Sequence, residues 1–133
     1  MYHLHELRIP VIVHIILYLP NETKEMMLDT IHHLNSLNIQ GVKLHLLHIL
    51  KDSALGTAYL EKPFFTPTLE EYVTCIGACI GNLNPDIVIH RLTGDAPQKM
   101  LLAPTWSLHK RHVLNTIQKH LKIQDIWQGK YLP

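Results

Sequence analysis

The chain has 133 residues, of which 47% are hydrophobic and 17% are charged, and its formal net charge is +1. This length suits one domain with a substantial core, and the near-neutral charge gives no electrostatic indication of nucleic acid or of an anionic membrane as a partner. Two cysteines are too few for a disulfide framework. With no secretory signal and no apolar run that could span a bilayer, we expect a cytoplasmic protein.

The first predicted unit is a strand, a helix and a second strand, preceded by the tail of a helix and a turn in residues 1–10. The strand runs from Val11 to Leu19, and because both of its alternating sets are largely apolar, we expect it to be buried on both faces. The more polar face carries His14 and Tyr18. A helix over Glu22–Leu37 follows, with apolar residues every three or four positions.

The second strand, Val42–Ile49, turns Lys43 and His45 toward the same inner face, which gives a βαβ unit. Next come a helical turn within 58–62, a helix over 68–83 with a Thr68–Glu71 capping box, and a strand over 87–91. Segment 98–104 is ambiguous and could form one helical turn. A helix over 106–123, with Ser107 as its cap, and a tail complete the chain.

Histidines are unusually frequent, with 11 in the chain, and each long strand is predicted to project one toward the inner face: His14, His45 and His90. Imidazoles on neighbouring parallel strands can converge on a metal ion. No carboxylate lies near them in sequence, so hydrogen-bonded histidines in a polar lumen are favoured and no metal site is predicted. His32–His33 and His109–His112 are assigned to solvated helix faces.

Two further polar patterns allow both a structural and a functional interpretation. Cys75 and Cys79 lie one helical turn apart, and without a third cysteine small buried thiols are favoured over a metal motif. Arg91 precedes a polar loop that contains Asp95; an arginine fork there could hold a carboxylate or phosphate, and a structural Arg–Asp pair explains the same pattern equally well. Common phosphate-loop and hydrolase motifs are absent.

Several segments together resemble the radical S-adenosylmethionine (SAM) superfamily, in particular a bacterial group near its elongator-like and coproporphyrinogen oxidase-like branch. His14-x-Ile16 followed by Leu19-Pro20-Asn21-Glu22-Thr23 is similar to the strand and GLPGET turn of these proteins. The other similar segments are 42–51 with Leu55, Ile89–Pro97, Ala103-Pro104-x-Trp106-Ser107 and Gln128-Gly129-Lys130. The resemblance covers nearly the whole chain.

The resemblance implies an α/β fold: the C-terminal portion of a partial (β/α)6 TIM-like barrel, with about three parallel strands and flanking helices. It implies a single domain over 1–133, with barrel elements in 10–97 and a helical extension in 98–133. The family uses SAM and a [4Fe–4S] cluster held by a CxxxCxxC loop. That loop is absent from this chain, and Cys75 and Cys79 do not replace it.

The resemblance also places individual residues. It implies that His14, Ile16 and Tyr18 lie beside the SAM site, with Leu47 and His48 near the adenine. It implies that Arg91 and Asp95 face the substrate end of the barrel. The family turn has glycines where this chain has Tyr18 and Asn21. Glycine would permit close approach to the nucleoside, and asparagine tolerates the left-handed conformation better than tyrosine does.

Three hypotheses follow. In the first, the chain is a C-terminal fragment or truncated paralogue of a radical SAM enzyme, inactive alone, with RNA modification as a conceivable activity. In the second, it is a non-catalytic half-barrel interaction module. In the third, which is the least favoured, it is a histidine-based metal hydrolase. We expect the open sheet to be completed by the N-terminal barrel half or by self-association, and we expect no membrane partner.

Overall fold

The computed structural model describes residues 1–133 and has three parallel strands, a small antiparallel pair and five α-helices. The strands are β1 (Ile12–Leu17), β2 (Gly41–Leu46), β3 (Ile49–Leu50), β4 (Val88–Arg91) and β5 (Leu101–Ala103). The helices are α1 (Tyr2–Glu6), α2 (Lys24–Asn35), α3 (Ala54–Glu61), α4 (Leu69–Asn82) and α5 (Lys110–Ile123), and a 3₁₀ turn over Thr105–Leu108 precedes α5.

The main sheet has the order β1-β2-β4, and all its neighbours are parallel. Apolar side chains of alternating residues in β1 and β2 pack against α2 and α4 in one core cluster; in the strands they are Ile15, Leu17, Val42, Leu44 and Leu46. Helix α5 adds Val113 and Ile117 to this cluster from beside α4. The helices therefore cover one face of the sheet.

The other face of the sheet, which we call the open face, is not covered by any element of the chain. It carries Ile12, His14 and Ile16 of β1, together with the residues that pair with them in β2 and β4. Ile12 is 43% exposed and Ile16 is 47% exposed. The prediction that β1 is buried on both faces is therefore wrong for this chain.

Helix α4 is the central helix, and its N-terminal capping box is confirmed. Thr68 Oγ1 accepts from the Glu71 backbone N–H at 3.1 Å, and a Glu71 carboxylate oxygen accepts from the Thr68 N–H at 3.1 Å. Gly77 and Gly81 of α4 allow close approach of neighbouring segments: a Cβ atom at Gly77 would lie 2.9 Å from the His120 ring. The C-terminal tail packs back, with the Tyr131 N–H donating to the Gly81 carbonyl at 2.8 Å.

Four other expectations need correction. The second strand ends at Leu46, because the chain turns there into the separate short strand β3. Segment 98–104 begins with one turn, in which the N–H groups of Met100 and Leu101 donate to the Pro97 carbonyl, but it continues as β5, which pairs antiparallel with β3. The helix near residue 58 begins earlier, at Ala54, with Ser53 as its cap. Ser107 lies within the 3₁₀ turn and donates to the Pro104 carbonyl, so it does not cap α5.

Candidate functional site

The loops that follow β1, β2 and β4 meet at the carboxyl edge of the parallel sheet, which is where α/β folds bind ligands. The loop after β1 contains Tyr18 and Asn21, and the loop after β2 contains Leu47 and His48. The loop after β4 contains Asp95. The sheet thus brings most of the residues singled out in the sequence to one edge.

The turn after β1 keeps a glycine-like backbone without glycine. Tyr18 and Asn21 both have a φ angle of +64°. These are the two positions at which the family turn has glycine. The left-handed conformation costs a residue with a Cβ atom about 1–2 kcal/mol, and asparagine bears that cost most easily. Tyr18 and Asn21 thus adopt a conformation that glycine adopts without this cost.

The Tyr18 side chain leaves the open face and turns toward α4. Its hydroxyl donates to the Glu71 backbone carbonyl at 3.1 Å, and its ring lies 6.3 Å from that of Phe65 between centroids. Burial raises the pKa of the Tyr18 hydroxyl, and nearby Cys75 adds to the shift. Tyr18 therefore does not share a face with His14, because the positive φ ends the strand alternation on which that prediction rested.

Three imidazoles lie on the open face. The rings of His14 and His45 lie 5.4 Å apart between centroids, at an angle of 34°. The His90 ring lies over Gly41, where a Cβ atom would approach it to 2.6 Å. His90 is the extra residue of an irregularity in the pairing of β2 with β4, since Val42 pairs with Ile89 and Lys43 with Arg91. Alternation thus predicted the face of His14 and His45 correctly.

A second group of imidazoles lies where β2 ends. Gly94 allows the contact: a Cβ atom there would lie 3.1 Å from His45 Nδ1 and 3.3 Å from His48 Cε1. The Nε2 atoms of His45 and His48 are buried without a hydrogen-bond partner in the protein. Buried polar atoms of this kind usually have a partner, so these two nitrogens are candidates for contact with a polar ligand.

The surroundings of both imidazoles in this group favour the neutral form. Burial lowers the pKa of His45, and its neighbours His14, Arg91 and Lys43 lower it further. Burial also lowers the pKa of His48, with His45 acting in the same direction. A neutral imidazole offers one donor and one acceptor nitrogen. The pair can therefore bind an uncharged ligand edge that has both donors and acceptors.

Arg91 and Asp95 lie together with a third charged residue, Lys110, which no sequence pattern connected with them. The Lys110 ammonium lies 3.1 Å from Asp95 Oδ2, and the Arg91 guanidinium lies 3.9 Å from the same atom. The hydrogen bond from Lys110 lowers the pKa of Asp95. Lys110 is the first residue of α5, 15 positions from Asp95 in sequence, so only the packing of α5 on the sheet brings them together.

No group of three or more histidine, cysteine, aspartate or glutamate side chains has a geometry that could hold a metal ion. Cys75 and Cys79 are buried on α4, at 2% and 0% exposure, and Cys75 Sγ lies 3.9 Å from Met27 Sδ. The prediction of small buried thiols is confirmed. These residues do not fit an iron–sulfur cluster, whose iron atoms need several thiolate ligands at one place. None of the helices combines the length and the hydropathy needed to cross a bilayer.

Comparison with known proteins identifies the family. Residues 39–123, more than half of the chain, match the Radical_SAM C-terminal domain. The chain belongs to this family. The resemblance drawn from the sequence motifs is thus confirmed, and the elements that carry the match extend from the start of β2 to the end of α5.

Individual relatives agree with this assignment. The chain is 35% identical to the uncharacterised protein YtqA of Bacillus subtilis over 118 residues, which cover 89% of this chain and 37% of YtqA. It is 33% identical to YhcC of Escherichia coli over 119 residues, 90% of this chain and 38% of YhcC. The chain therefore spans less than two fifths of the length of these curated relatives.

The fold is shared with a solved radical SAM protein. The structure of Methanocaldococcus infernus Elp3 with an N-terminal deletion superposes with a TM-score of 0.76, over 94% of this chain and 29% of that chain, at 14% identity. The predicted fold class is confirmed: three parallel strands with flanking helices, as in a portion of the radical SAM barrel.

Proposed function

We propose that the chain forms the carboxyl-terminal part of a radical SAM barrel and contributes the nucleoside side of the SAM site, but not the cluster. The observation that carries this proposal is the pair of unpartnered imidazole nitrogens on His45 and His48, whose rings lie beside Gly94. These atoms lie at the carboxyl edge of the sheet, where a nucleoside would be bound. On this proposal Leu47 and His48 lie near the adenine.

The residues present fit the nucleoside part of SAM. Neutral His45 and His48 can donate to and accept from the edge of an adenine, and the left-handed turn at positions 18 and 21 keeps the backbone path of the family turn. His14 and Ile16 lie on the open face beside that turn. Bound together in the complete enzyme, SAM and the cluster supply a 5′-deoxyadenosyl radical, and the residues of this chain orient the nucleoside and exclude water.

The cluster must then be held by residues other than those of this chain. Anaerobic incubation of the purified chain with iron and sulfide should give no visible cluster absorption and no stoichiometric iron. Appearance of a stable cluster would contradict the proposal, because Cys75 and Cys79 are buried in the core and could bind iron only if α4 rearranged.

The nucleoside side can be tested on the chain itself. S-adenosylhomocysteine, which lacks the reactive sulfonium, should shift the imidazole resonances of His45 and His48 in an NMR titration and leave those of exposed His32 unchanged. Gly94→Ala should abolish the shifts, because the added methyl lies within 3.3 Å of both rings. If His32 moves as much as His48, or if Gly94→Ala has no effect, the proposed site is wrong.

A second candidate function is favoured by the exposed apolar residues of the open face, Ile12, Ile16 and Val88. On this alternative, the chain is a non-catalytic half-barrel module that associates with itself or with a separate barrel half. Sedimentation velocity should then show a dimer that Ile16→Asp converts to monomer, whereas Leu60→Asp, at a residue 66% exposed on α3, should leave it intact. A monodisperse wild-type monomer would contradict self-association.

A further inference from the structure

A cleft of about 410 Å³ lies at the β4 edge of the sheet, between β4 and the start of α5, and we call it the β4–α5 cleft. Arg91 and Lys110 line it from opposite elements, with Thr93 in its floor. Thr93 is 1% exposed, and its Oγ1 has no hydrogen-bond partner in the protein. Strand β4 is the last strand of the sheet, so the cleft opens along a free edge.

The charges around this cleft are not balanced. A neighbouring hollow over the first turn of α5 is lined by Arg111 and shares Lys110 with the cleft. Two permanent positive charges, on Arg91 and Lys110, share a single carboxylate, Asp95, which is 63% exposed. Arg111 adds a third positive charge in the neighbouring hollow, so the cations of this surface outnumber its carboxylate.

The start of α5 adds to the imbalance. The 14-residue helix has no acidic residue in its first turn and no side-chain hydrogen bond at its cap, His109. Helix N-termini carry partial positive charge from free N–H groups, and basic residues there oppose the helix dipole. Such an arrangement destabilises the isolated chain, whereas a bound anion would satisfy the free N–H groups and the side chains together.

We propose that the β4–α5 cleft binds a phosphate group of the substrate or partner, held between Arg91 and Lys110. The guanidinium plane can pair with two phosphate oxygens, and the ammonium supplies a third charged contact. In the free protein the Asp95 carboxylate lies between these two cations, with its Oδ2 atom 3.1 Å from Lys110 and 3.9 Å from Arg91. The phosphate displaces this carboxylate.

The phosphate site extends the proposed function, because it states which chemical group the substrate would carry. Phosphate binding requires neither SAM nor the cluster, so the phosphate site and the nucleoside site can be refuted separately. Inorganic phosphate titrated into the chain at low salt should shift the side-chain resonances of Arg91 and Lys110. Arg91→Gln and Lys110→Gln should each weaken binding roughly tenfold, since each removes a charge-assisted hydrogen bond. Asp95→Asn should strengthen binding several-fold, because it removes the competing carboxylate.

The matched control is Lys122→Gln, which removes the same charge from the last turn of α5, roughly 18 Å along the helix from Lys110. It should change binding less than twofold. If Lys122→Gln weakens binding as much as Lys110→Gln, or if phosphate shifts neither Arg91 nor Lys110 resonances, the cleft is not a phosphate site. If Asp95→Asn lowers the affinity, the group is a structural ion-pair cluster and the proposal is overturned.

Two further probes identify the source of the phosphate. An oligoribonucleotide that binds much more tightly than AMP, with an affinity that falls on added salt, indicates a polynucleotide backbone, because each neutralised phosphate releases counterions. Equal affinity for AMP and the oligoribonucleotide indicates a small phosphate ester. Either result supports the phosphate site, provided that Arg91→Gln weakens it. Thermal unfolding of every variant should remain cooperative, which excludes loss of folding as the reason for weaker binding.

Discussion

Tyr18, in the left-handed turn after β1, allows the contributions of its side chain and of its backbone conformation to stability to be measured separately. Tyr18 has a φ angle of +64°, a conformation that costs about 1–2 kcal/mol for a residue with a Cβ atom. Glycine removes that cost but loses about 0.5–1 kcal/mol through the greater freedom of the unfolded chain. The backbone alone would therefore favour Tyr18→Gly by only about 0.5–1 kcal/mol.

The Tyr18 side chain outweighs this gain. Its hydroxyl donates to the Glu71 carbonyl at 3.1 Å, which contributes about 1 kcal/mol. Its ring lies 6.3 Å from Phe65 and 6.5 Å from Tyr72, and aromatic pairs of this kind contribute about 0.5–1.5 kcal/mol each. Tyr18→Gly should therefore destabilise the chain by about 1–3.5 kcal/mol, net of the backbone gain.

Urea denaturation followed by circular dichroism measures these effects, and three further variants separate them. Tyr18→Ala keeps the strain and loses the side chain, so it should be less stable than Tyr18→Gly by about 1 kcal/mol. Tyr18→Phe should cost about 1 kcal/mol for the hydrogen bond alone. Asn21→Gly, at an exposed position with the same φ, should change stability by about 0.5 kcal/mol or less. If Tyr18→Gly is as stable as the wild type, the side chain does not hold this turn.

Three other predictions use the same assay. Thr68→Ala removes the capping box of α4 and should cost about 1 kcal/mol. Ile76→Ala, in the core at 0% exposure, should lower the free energy of unfolding by about 2–5 kcal/mol. Ile16→Ala on the open face should lower it by less than about 1 kcal/mol. Similar losses for the two variants would contradict the assignment of the open face. Burial lowers the pKa of His45 and His48 in the folded state below the value of about 6.5 that a free imidazole has. Below pH 6.5 the unfolded chain therefore binds more protons than the folded chain, so the free energy of unfolding should fall as the pH drops below that value. The fall should be smaller after both histidines are replaced by glutamine, and an equal fall would show that these residues are not responsible.

Local signals in the sequence predicted the elements with strong periodicity. The capping box at Thr68 correctly predicted where α4 begins. The apolar alternation of β1 and β2 correctly predicted which of their residues face the helices. Alternation could not reveal that the other face of β1 is open. Apolar residues follow the same pattern on a face covered by helices as on a face left uncovered, because the pattern records only which side a residue points to.

The elements that were missed are short and depend on distant contacts. Strands β3 and β5 have two and three residues and pair across about 50 positions of sequence, so neither shows a measurable period. Lys110 was missed at the β4–α5 cleft for a similar reason. Lys110 lies 15 positions from Asp95, and only the tertiary placement of α5 brings its ammonium to that carboxylate.

The turn after β1 also bears on whether the family function survives in this chain. The family turn has glycine at positions 18 and 21, and here Tyr18 and Asn21 both adopt the left-handed conformation. In the family pattern glycine permits that conformation; here the contacts of Tyr18 with α4 hold it in place. A strained φ angle persists only where surrounding contacts stabilise it. The contacts of Tyr18 with α4 must therefore contribute more free energy than the left-handed conformation costs. We infer that the backbone path beside the proposed nucleoside site is maintained by side-chain packing outside the open face, which leaves the space above His14 free of the added tyrosine ring.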